Sequence, residues 1–325
     1  MAHFLKISDW SAEELEHVVY LSKKLKAARA RKRSVADDPA IHMPLADRTL
    51  AMIFEKPSTR TRVSFEVGMM ELGGRAIVLS ADDLQLGRGE PLADTAKVLS
   101  RYVDAVMIRT TSHARLKTFA EASTVPVING LTDLHHPTQI IADLLTVLEH
   151  KGTLNGVRIA YVGDGNNNVT HSWLEAAALL GLDLAVASPK AYAPDASVLG
   201  FAYETAKRTG AKIAVVESPE EAVYARDVVI TDVWTSMGRE AESEARRTAL
   251  LPYQVNAALM RLTDPEAIFM HCLPAHRGEE VTTEIIDGPR SVVFDEAENR
   301  LHAHKAILLH LFGVSQPIAH LSSSL

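Results

Sequence analysis

The stretch TLAMIFEKPSTRTRVSFEVGMMELGG (residues 49–74) carries the signals that decide the fold. Its apolar start predicts a buried strand, which Pro57 ends. Ser58 is a favourable residue to begin a helix, and the glycine pair at 73–74 is typical of a helix end. The stretch therefore predicts a strand that turns directly into a helix near residue 58, which is the basic unit of an α/β sheet.

The same alternation continues along the rest of the chain. The predicted strands lie at residues 49–56, 76–80, 105–110, 125–130, 157–165, 183–189, 212–218, 227–234 and 267–274. The predicted helices lie at residues 11–33, 57–74, 92–101, 113–121, 136–152, 172–181, 195–209, 219–225 and 301–313. Strands that alternate with helices indicate parallel sheets covered by helices on both faces.

The strands fall into two series, and the helix at 136–152 joins them. A chain of 325 residues is long enough for two domains. We therefore predict the α/β class, with two doubly wound domains, each built on a mostly parallel sheet, and a cleft between them. The expected domains are residues 1–145 and 146–300, with a last helix at 301–320 that packs back on the first domain.

Charge and cysteine content narrow the class of protein. The formal net charge of −7 argues against nucleic-acid binding. The basic run at residues 23–33 is better interpreted as a solvated helix end than as an anion-binding patch. A single cysteine, Cys272, excludes an intramolecular disulfide and zinc sites built on several cysteines. The start of the chain shows no signal peptide, and no apolar run is long enough to cross a membrane, so we expect a cytoplasmic protein.

Residues 58–62, Ser-Thr-Arg-Thr-Arg, predict a phosphate site at the strand–helix junction. The first amides of a helix lack partners within the helix, and the helix dipole favours an anion at that end. Hydroxyl groups at 58, 59 and 61 and guanidinium groups at 60 and 62 supply further donors, and arginine can bind two phosphate oxygens at once. A plain helix cap with two surface arginines is the alternative.

Two familiar nucleotide sites are not expected. The chain has no Walker pattern, which argues against a nucleoside triphosphate. The segment GDGNNN (163–168) lacks the third glycine of a dinucleotide fingerprint. We therefore expect no cofactor and no metal.

Two motifs give the chain a specific resemblance. FEKPSTRTRVSFE (54–66) resembles the carbamoyl-phosphate signature of the aspartate and ornithine carbamoyltransferases, and HPTQ (136–139) resembles their second shared motif. The resemblance extends from residue 4 to about residue 313. It implies that the first domain binds carbamoyl phosphate, that the second binds an amino-acid acceptor, and that carbamoyl transfer is the reaction.

Three further segments resemble the ornithine branch of that family. These are DVWTSMG (232–238), HCLPAHRGEEVT (271–282), and DLQLGRGEP (83–91) with Gln85. An ornithine ammonium group needs a carboxylate partner, which Asp232 supplies. The resemblance implies an acceptor site formed by Asn167, Asn168, Asp232, Ser236 and Met237, with Asn168 as our first choice for the α-carboxylate.

The resemblance also assigns the donor site and the catalytic groups. The implied donor-binding residues are Ser58, Thr59, Arg60, Thr61, Gln85, Arg109, His136, Gln139, Cys272, Leu273 and Arg300. Thr61, Arg109 and His136 are expected to stabilise the oxyanion, and Gln139 to contact the carbamoyl nitrogen. Cys272 is expected to accept a proton from the δ-amine, with neighbouring cations tuning it toward thiolate; a buried, inert cysteine is the alternative. Gln85 is expected to reach in from a neighbouring subunit of a homotrimer or an assembly of trimers.

Other functions fit the sequence less well. A carbamoyltransferase for a different amine or amino acid is the nearest alternative, and an inactive anion-binding scaffold is a more distant one. The scaffold predicts the loss of Arg60, His136 or Cys272, all of which are present. The motifs do not distinguish biosynthetic from catabolic ornithine enzymes.

Overall fold

The computed structural model describes residues 2–34, 43–80, 90–235 and 243–314. The first part of the chain forms a parallel sheet. Its strands are β1 (Thr49–Phe54), β2 (Arg75–Ser80), β3 (Ala105–Arg109) and β4 (Val127–Leu131), in the spatial order β2-β1-β3-β4. Its helices are α1 (Ala12–Ser34), α2 (Thr59–Glu71), α3 (Leu92–Leu99), α4 (His113–Ala122) and α5 (Pro137–Lys151).

The second part forms a larger parallel sheet. Its strands are β5 (Arg158–Val162), β6 (Asp183–Ala187), β7 (Lys212–Val216), β8 (Val228–Thr231) and β9 (Ile268–His271), in the spatial order β7-β6-β5-β8-β9. Its helices are α6 (Asn168–Leu180), α7 (Ala196–Thr209), α8 (Pro219–Val223), α9 (Ser243–Leu250), α10 (Ala257–Met260), α11 (Thr283–Ile286) and α12 (Val293–Leu311).

Helix α5 connects the two sheets through the middle of the molecule. Its side chains from Pro137 to Leu148 are all buried, because α1, α6 and α12 pack around it. A helix that is buried on every side needs apolar residues on every side, and the run Ile140 to Leu148 is rich in them. The left-handed backbone of Gly152, with φ of 75°, ends the helix.

The strand order places a cleft at the carboxyl ends of both sheets. In the first sheet the crossovers diverge between β1 and β3, and in the second they diverge between β5 and β8. Such switch points are where open α/β sheets bind ligands. The segments that follow these strands therefore carry the candidate site.

The alternating pattern and the parallel sheets predicted from the sequence are confirmed, and Ser58 caps α2 as predicted. The predicted start of the last helix was wrong, since α12 begins at Val293. Its first turns carry buried polar residues, including Asn299 and Arg300, which hide the apolar periodicity. The predicted strands at 227–234 and 267–274 were too long, because the chain leaves each sheet at Thr231 and His271 to enter the cleft.

Short helices α9, α10 and α11 were not predicted. None of the helices in the described part of the chain combines the length and apolar character needed to cross a bilayer.

Candidate active site

A cavity of about 430 Å³ opens where the two sheets face each other. Its walls are the segments that directly follow β1, β3, β4, β5, β8 and β9. The predicted residues at the cavity wall are Ser58, Thr59, Arg60, Arg109, His136, Asn168, Asp232, Cys272, Leu273 and Arg300. One cavity therefore contains residues from both predicted half-sites.

The phosphate motif forms one end of this cavity. The Ser58 hydroxyl accepts a hydrogen bond from the Thr61 amide at 3.4 Å, which fixes the first turn of α2. Both arginines were predicted to supply donors to the phosphate, but only Arg60 lines the cavity. The Arg62 side chain is 56% exposed and lies 3.6 Å from Glu66, one turn along α2. Residues two apart on a helix point in different directions, so only one of the two arginines reaches the ligand position.

Two further arginines meet at Thr61, which is fully buried. Arg300 donates to the Thr61 hydroxyl oxygen at 2.7 Å, and Arg109 lies 3.5 Å from the same oxygen. Burial lowers the pKa of each of these two arginines to about 10. The charge of Arg60 lowers both pKa values further, and the charge of Arg109 lowers that of Arg300. Both stay charged near neutral pH, so the donor end of the cavity is strongly cationic and suits a dianion.

His136 stands between this arginine cluster and the second sheet. It caps α5, and its backbone amide donates to the Ser172 hydroxyl at 2.9 Å. Burial and the nearby arginines hold the pKa of His136 well below its ordinary value, so the imidazole is neutral. Its Nε2 lies 3.4 Å from a nitrogen of Arg300. Because a guanidinium can only donate, Nε2 is the acceptor and the ring proton resides on Nδ1.

Gln139 lies behind Arg300, not at the cavity wall. Its side-chain oxygen accepts from Arg300 at 2.6 Å. Its nitrogen donates to Asp143 at 2.8 Å and to Glu296 at 3.0 Å. The amide oxygen and both amide hydrogens thus have partners within the protein, and the contact of Gln139 with the carbamoyl nitrogen stays a prediction.

The acceptor end of the cavity centres on Asp232, which directly follows β8. Asn167 donates to its carboxylate at 3.0 Å. Asn167 also caps α6, since its side-chain oxygen accepts from the Val169 amide at 2.7 Å. Asn168 lines the cavity and donates to the Thr132 carbonyl at 2.6 Å. The two asparagines therefore have different roles. Asn167 fixes the Asp232 carboxylate, and Asn168 faces the cavity next to Asp232.

Cys272 faces Asp232 across the same end of the cavity. Its thiol donates to the Asp232 carboxylate at 3.2 Å. Burial, followed by the charges of Asp232 and Glu296, raises the pKa of the thiol well above its ordinary value. The expectation that cations tune Cys272 toward thiolate was therefore wrong for the ligand-free protein, because its nearest charged neighbour is an acid.

Leu273 connects the acceptor end to the donor end. Its carbonyl oxygen accepts a hydrogen bond from Arg60. Its amide donates to His271 Nδ1 at 2.8 Å, and its φ of 58° lies in the left-handed region, which is uncommon for a leucine. Leu273 lines the cavity, and its carbonyl lies within reach of the cavity-lining Arg60.

Potential metal ligands also occur here. Ligand atoms of Asp232, His271 and Cys272 lie within 4.8 Å of one another. Each already has a protein partner, since Cys272 donates to Asp232 and His271 bonds both Leu273 and Glu280. The group is tied into hydrogen bonds within the protein.

Some predicted residues lie outside the described part of the chain, and some site residues were missed. Gln85, Ser236 and Met237 fall in the undescribed stretches. Thr111 and Asp133 line the cavity and were not predicted. Both follow the carboxyl end of a strand, β3 and β4 respectively, and that position was the signal that would have found them.

The chain matches family models over most of its length. Residues 2–149 match the aspartate/ornithine carbamoyltransferase carbamoyl-P binding domain, and residues 155–311 match the Asp/Orn binding domain of the same family. The chain belongs to the aspartate/ornithine carbamoyltransferase family. The resemblance inferred from the motifs is confirmed.

Relatives within this carbamoyltransferase family are similar over nearly their whole length. The ornithine carbamoyltransferase of Symbiobacterium thermophilum is 56% identical, with 94% of this chain and 96% of that protein covered. A solved structure of ornithine carbamoyltransferase from Pyrococcus furiosus superposes with a TM-score of 0.88 at 51% identity, covering 94% of this chain and 96% of that one. The anabolic enzyme from Campylobacter jejuni gives a TM-score of 0.89 at 43% identity, covering 97% and 100%.

Proposed function

We propose that this protein transfers the carbamoyl group of carbamoyl phosphate to the δ-amine of L-ornithine, giving L-citrulline and phosphate. The observation that carries the proposal is one cavity with a cationic end and an acidic end. The cationic end is formed by Arg60, Arg109 and Arg300, and the acidic end by Asp232 together with Cys272. The ornithine carbamoyltransferases that are similar over nearly the whole chain support the choice of acceptor.

The donor phosphate would sit at the start of α2. The first turn of α2, the hydroxyls of Ser58 and Thr59, and the Arg60 guanidinium meet there at the cavity wall. A helix start combines donors with a favourable dipole, so it holds an anion without a counter-ion. The same groups would stabilise phosphate as it leaves.

The carbamoyl oxygen would lie between Arg109, His136 and the Thr61 hydroxyl. Negative charge develops on this oxygen when the amine attacks, and each fixed donor aimed at it is worth roughly 3–4 kcal/mol. Thr61 accepts from Arg300 and lies within reach of Arg109, so the three side chains form one cluster of hydrogen-bonding groups beside the cavity. The neutral imidazole of His136 would donate through Nδ1.

The acceptor would enter with its α-ammonium at Asp232 and its α-carboxylate at Asn168. Ser236 and Met237 of the DVWTSMG segment would complete this site. An ammonium at Asp232 cancels one of the charges that raise the thiol pKa of Cys272. Acceptor binding would thus favour the thiolate, which could then take a proton from the δ-ammonium. The Leu273 carbonyl would orient that nitrogen.

An acceptor panel tests the proposal. The purified protein is incubated with carbamoyl phosphate and one amine at a time: L-ornithine, N-acetylornithine, putrescine, L-lysine or L-aspartate, with colorimetric detection of the carbamoylated product. We expect product with L-ornithine at a rate at least about 100-fold above the others. N-acetylornithine would leave Asp232 unpaired, putrescine lacks the α-carboxylate, L-lysine places its amine one methylene further away, and L-aspartate has no side-chain amine. A higher rate with any other amine would contradict the assignment.

We also propose a homotrimer or an assembly of trimers. Large apolar side chains are exposed on neighbouring elements of the first sheet region, among them Val63 and Met70 on α2 and Ile77 on β2. Exposed apolar surface of this kind marks contacts between protein chains, and Gln85 would reach a neighbouring site from the next segment. Light scattering after gel filtration measures the mass, and a monomer would contradict this proposal.

Two further expectations belong with this function. A free Cys272 thiol persists in a reducing compartment, which supports a cytoplasmic location. The division into a donor domain at 1–145 and an acceptor domain at 146–300 is supported by the two chemically different ends of the cavity.

A further inference from the structure

Two carboxyl groups lie buried behind the arginine cluster. Asp143 is on α5 and Glu296 is on α12, and each residue is only 1% exposed. Both carboxyl groups accept a hydrogen bond from the same nitrogen of Gln139, at 2.8 and 3.0 Å, which brings them close together. Two neighbouring buried carboxylates cannot both ionise at neutral pH. The pair thus retains a proton and holds at most one negative charge.

Each carboxyl group has a second oxygen that does not contact Gln139, and these two oxygens also accept hydrogen bonds. Asp143 accepts from the Trp173 indole at 3.1 Å, and Glu296 accepts from the His271 amide at 2.8 Å. Burial raises the pKa of Asp143 to about 7 and that of Glu296 well above its ordinary value. Both shifts favour the neutral, protonated form of a carboxyl group, as expected where two buried acids face each other.

The pair decides which way the Gln139 side chain faces. The Gln139 nitrogen donates to one oxygen of Asp143 at 2.8 Å and to one oxygen of Glu296 at 3.0 Å. With two acceptors on one side, the amide nitrogen must lie there and the amide oxygen must point the other way. That oxygen meets Arg300 at 2.6 Å. Arg300 then reaches Thr61 with its other terminal nitrogen.

We propose that Asp143 and Glu296 are positioning residues of the donor site, a buried pair of carboxyl groups that fixes Gln139 and through it aims Arg300 at the donor phosphate. This rests on the proposed function only in naming carbamoyl phosphate as the ligand. Glu296 lies one helical turn before Arg300 on α12 and also holds the amide beside Cys272, so one side chain supports both ends of the cavity.

Glu296→Gln tests the proposal with little change in volume. Both oxygens of Glu296 accept hydrogen bonds, so a glutamine must face one of those donors with its own NH₂ group. We expect the dissociation constant for inorganic phosphate, measured by calorimetry, to rise at least about tenfold, as for other residues that orient a ligand-binding side chain. Unchanged phosphate affinity would overturn the proposal.

Glu175→Gln is the matched control. Glu175 is also a buried glutamate whose two oxygens accept hydrogen bonds, both from Ser8 at 3.0 Å, but it does not line the cavity. We expect phosphate affinity to be unchanged in this variant. An equal loss in both variants would mean that any disturbed buried glutamate has this effect, and would overturn the specific role.

A double mutant separates positioning from a general structural role. If Glu296 acts through Arg300, Glu296→Gln should change phosphate affinity less than about twofold in an Arg300→Gln background. If Glu296→Gln instead weakened phosphate binding in the Arg300→Gln background as much as it does in the wild type, Glu296 would not act through Arg300 and the proposal would be overturned. Should Glu296→Gln not fold, Gln139→Met removes the amide in the middle of the relay and is expected to weaken phosphate binding by the same factor; wild-type affinity in that variant would overturn the proposal.

The measurement of phosphate binding tests the role of Asp143 and Glu296 separately from the proposed reaction. Phosphate binding requires no acceptor, so a wild-type protein that binds phosphate but makes no citrulline would contradict the proposed reaction and leave the relay open to the same measurements.

Discussion

The guanidinium of Arg60 donates a hydrogen bond to the backbone carbonyl of Leu273, 213 residues further along the chain. Arg60 belongs to the first turn of α2, and Leu273 follows β9 of the other sheet. The contact therefore bridges the donor and acceptor ends of the cavity in the ligand-free protein. A phosphate dianion would compete with the carbonyl for Arg60, so donor binding would free the Leu273 oxygen for the incoming amine.

Arg60→Ala is expected to weaken carbamoyl phosphate use by at least about 100-fold in kcat/KM, since a charged hydrogen bond to the dianion is worth about 3 kcal/mol. Arg62→Ala is the matched control, because Arg62 belongs to the same helix turn but points to solvent beside Glu66. We expect less than about a twofold change for the control. Steady-state kinetics with carbamoyl phosphate varied at saturating ornithine measures both, and equal effects would contradict the assigned geometry.

The sequence was informative where local rules decide the structure. The strand–turn–helix unit around Ser58 and the start of α5 at HPTQ follow from proline, cap and periodicity signals, which act over a few residues. The resemblance to the carbamoyltransferase family named Arg109 and Asp232, and both lie at the carboxyl ends of parallel strands, the edge where such sheets bind ligands.

Long-range partners could not be predicted in this way. The orientation of Gln139 depends on Glu296, which is 157 residues away. The environment of Cys272 depends on Asp232, 40 residues away, and burial followed by the charge of that carboxylate reverses the expected direction of the thiol pKa shift. Sequence spacing carries no information on which charges meet in the folded cavity.

Cys272→Ala is expected to lower kcat by about 100-fold or more, the usual contribution of a proton-transfer group. The KM for carbamoyl phosphate should change less than about twofold, because the donor is held by the arginines and the helix start. Initial rates over a matrix of both substrates separate the two parameters. A variant with wild-type kcat would remove Cys272 from the mechanism.

Asp232→Asn is expected to lower the pKa of the Cys272 thiol, because it removes the carboxylate that, after burial, most strongly raises that pKa. Alkylation by iodoacetamide reports the thiolate, so its rate-against-pH curve should move to lower pH. Asp133→Asn is the control, since Asp133 lines the same cavity but is not among the groups that raise the thiol pKa. The same shift in both variants would contradict a specific Asp232–Cys272 coupling.

Arg246→Lys is expected to raise the KM for ornithine by about tenfold or more while leaving phosphate affinity unchanged. Arg246 on α9 is fully buried, forms an ion pair with Asp164, and donates to the Trp234 carbonyl at 2.7 Å. It thus ties the segment after Asp232 to the GDGNNN turn, and a lysine keeps the charge but cannot span both partners. Titration with each substrate checks this, and a larger loss of phosphate than of ornithine binding would contradict it.

Acid should destabilise the fold through its buried histidines, and His302 gives the sharpest test. Burial, followed by the charges of Lys305, Lys26 and Arg29, lowers its pKa from 6.5 to about 3. Below pH 6.5 the unfolded chain therefore binds a proton that the folded protein does not, so stability falls as the pH drops until the folded pKa is reached. One such group contributes at most about 1.4 kcal/mol per pH unit, or about 2 kcal/mol by pH 5.

His302→Leu should remove this contribution. The comparison is between slopes of unfolding free energy against pH, measured by urea denaturation from about pH 7.5 to about pH 5. A change in packing moves the whole curve up or down, whereas only the loss of a titrating group flattens it. Parallel curves for wild type and variant would mean that His302 takes up its proton in the folded state as readily as in the unfolded chain. That result would contradict a lowered pKa for His302 in the folded protein.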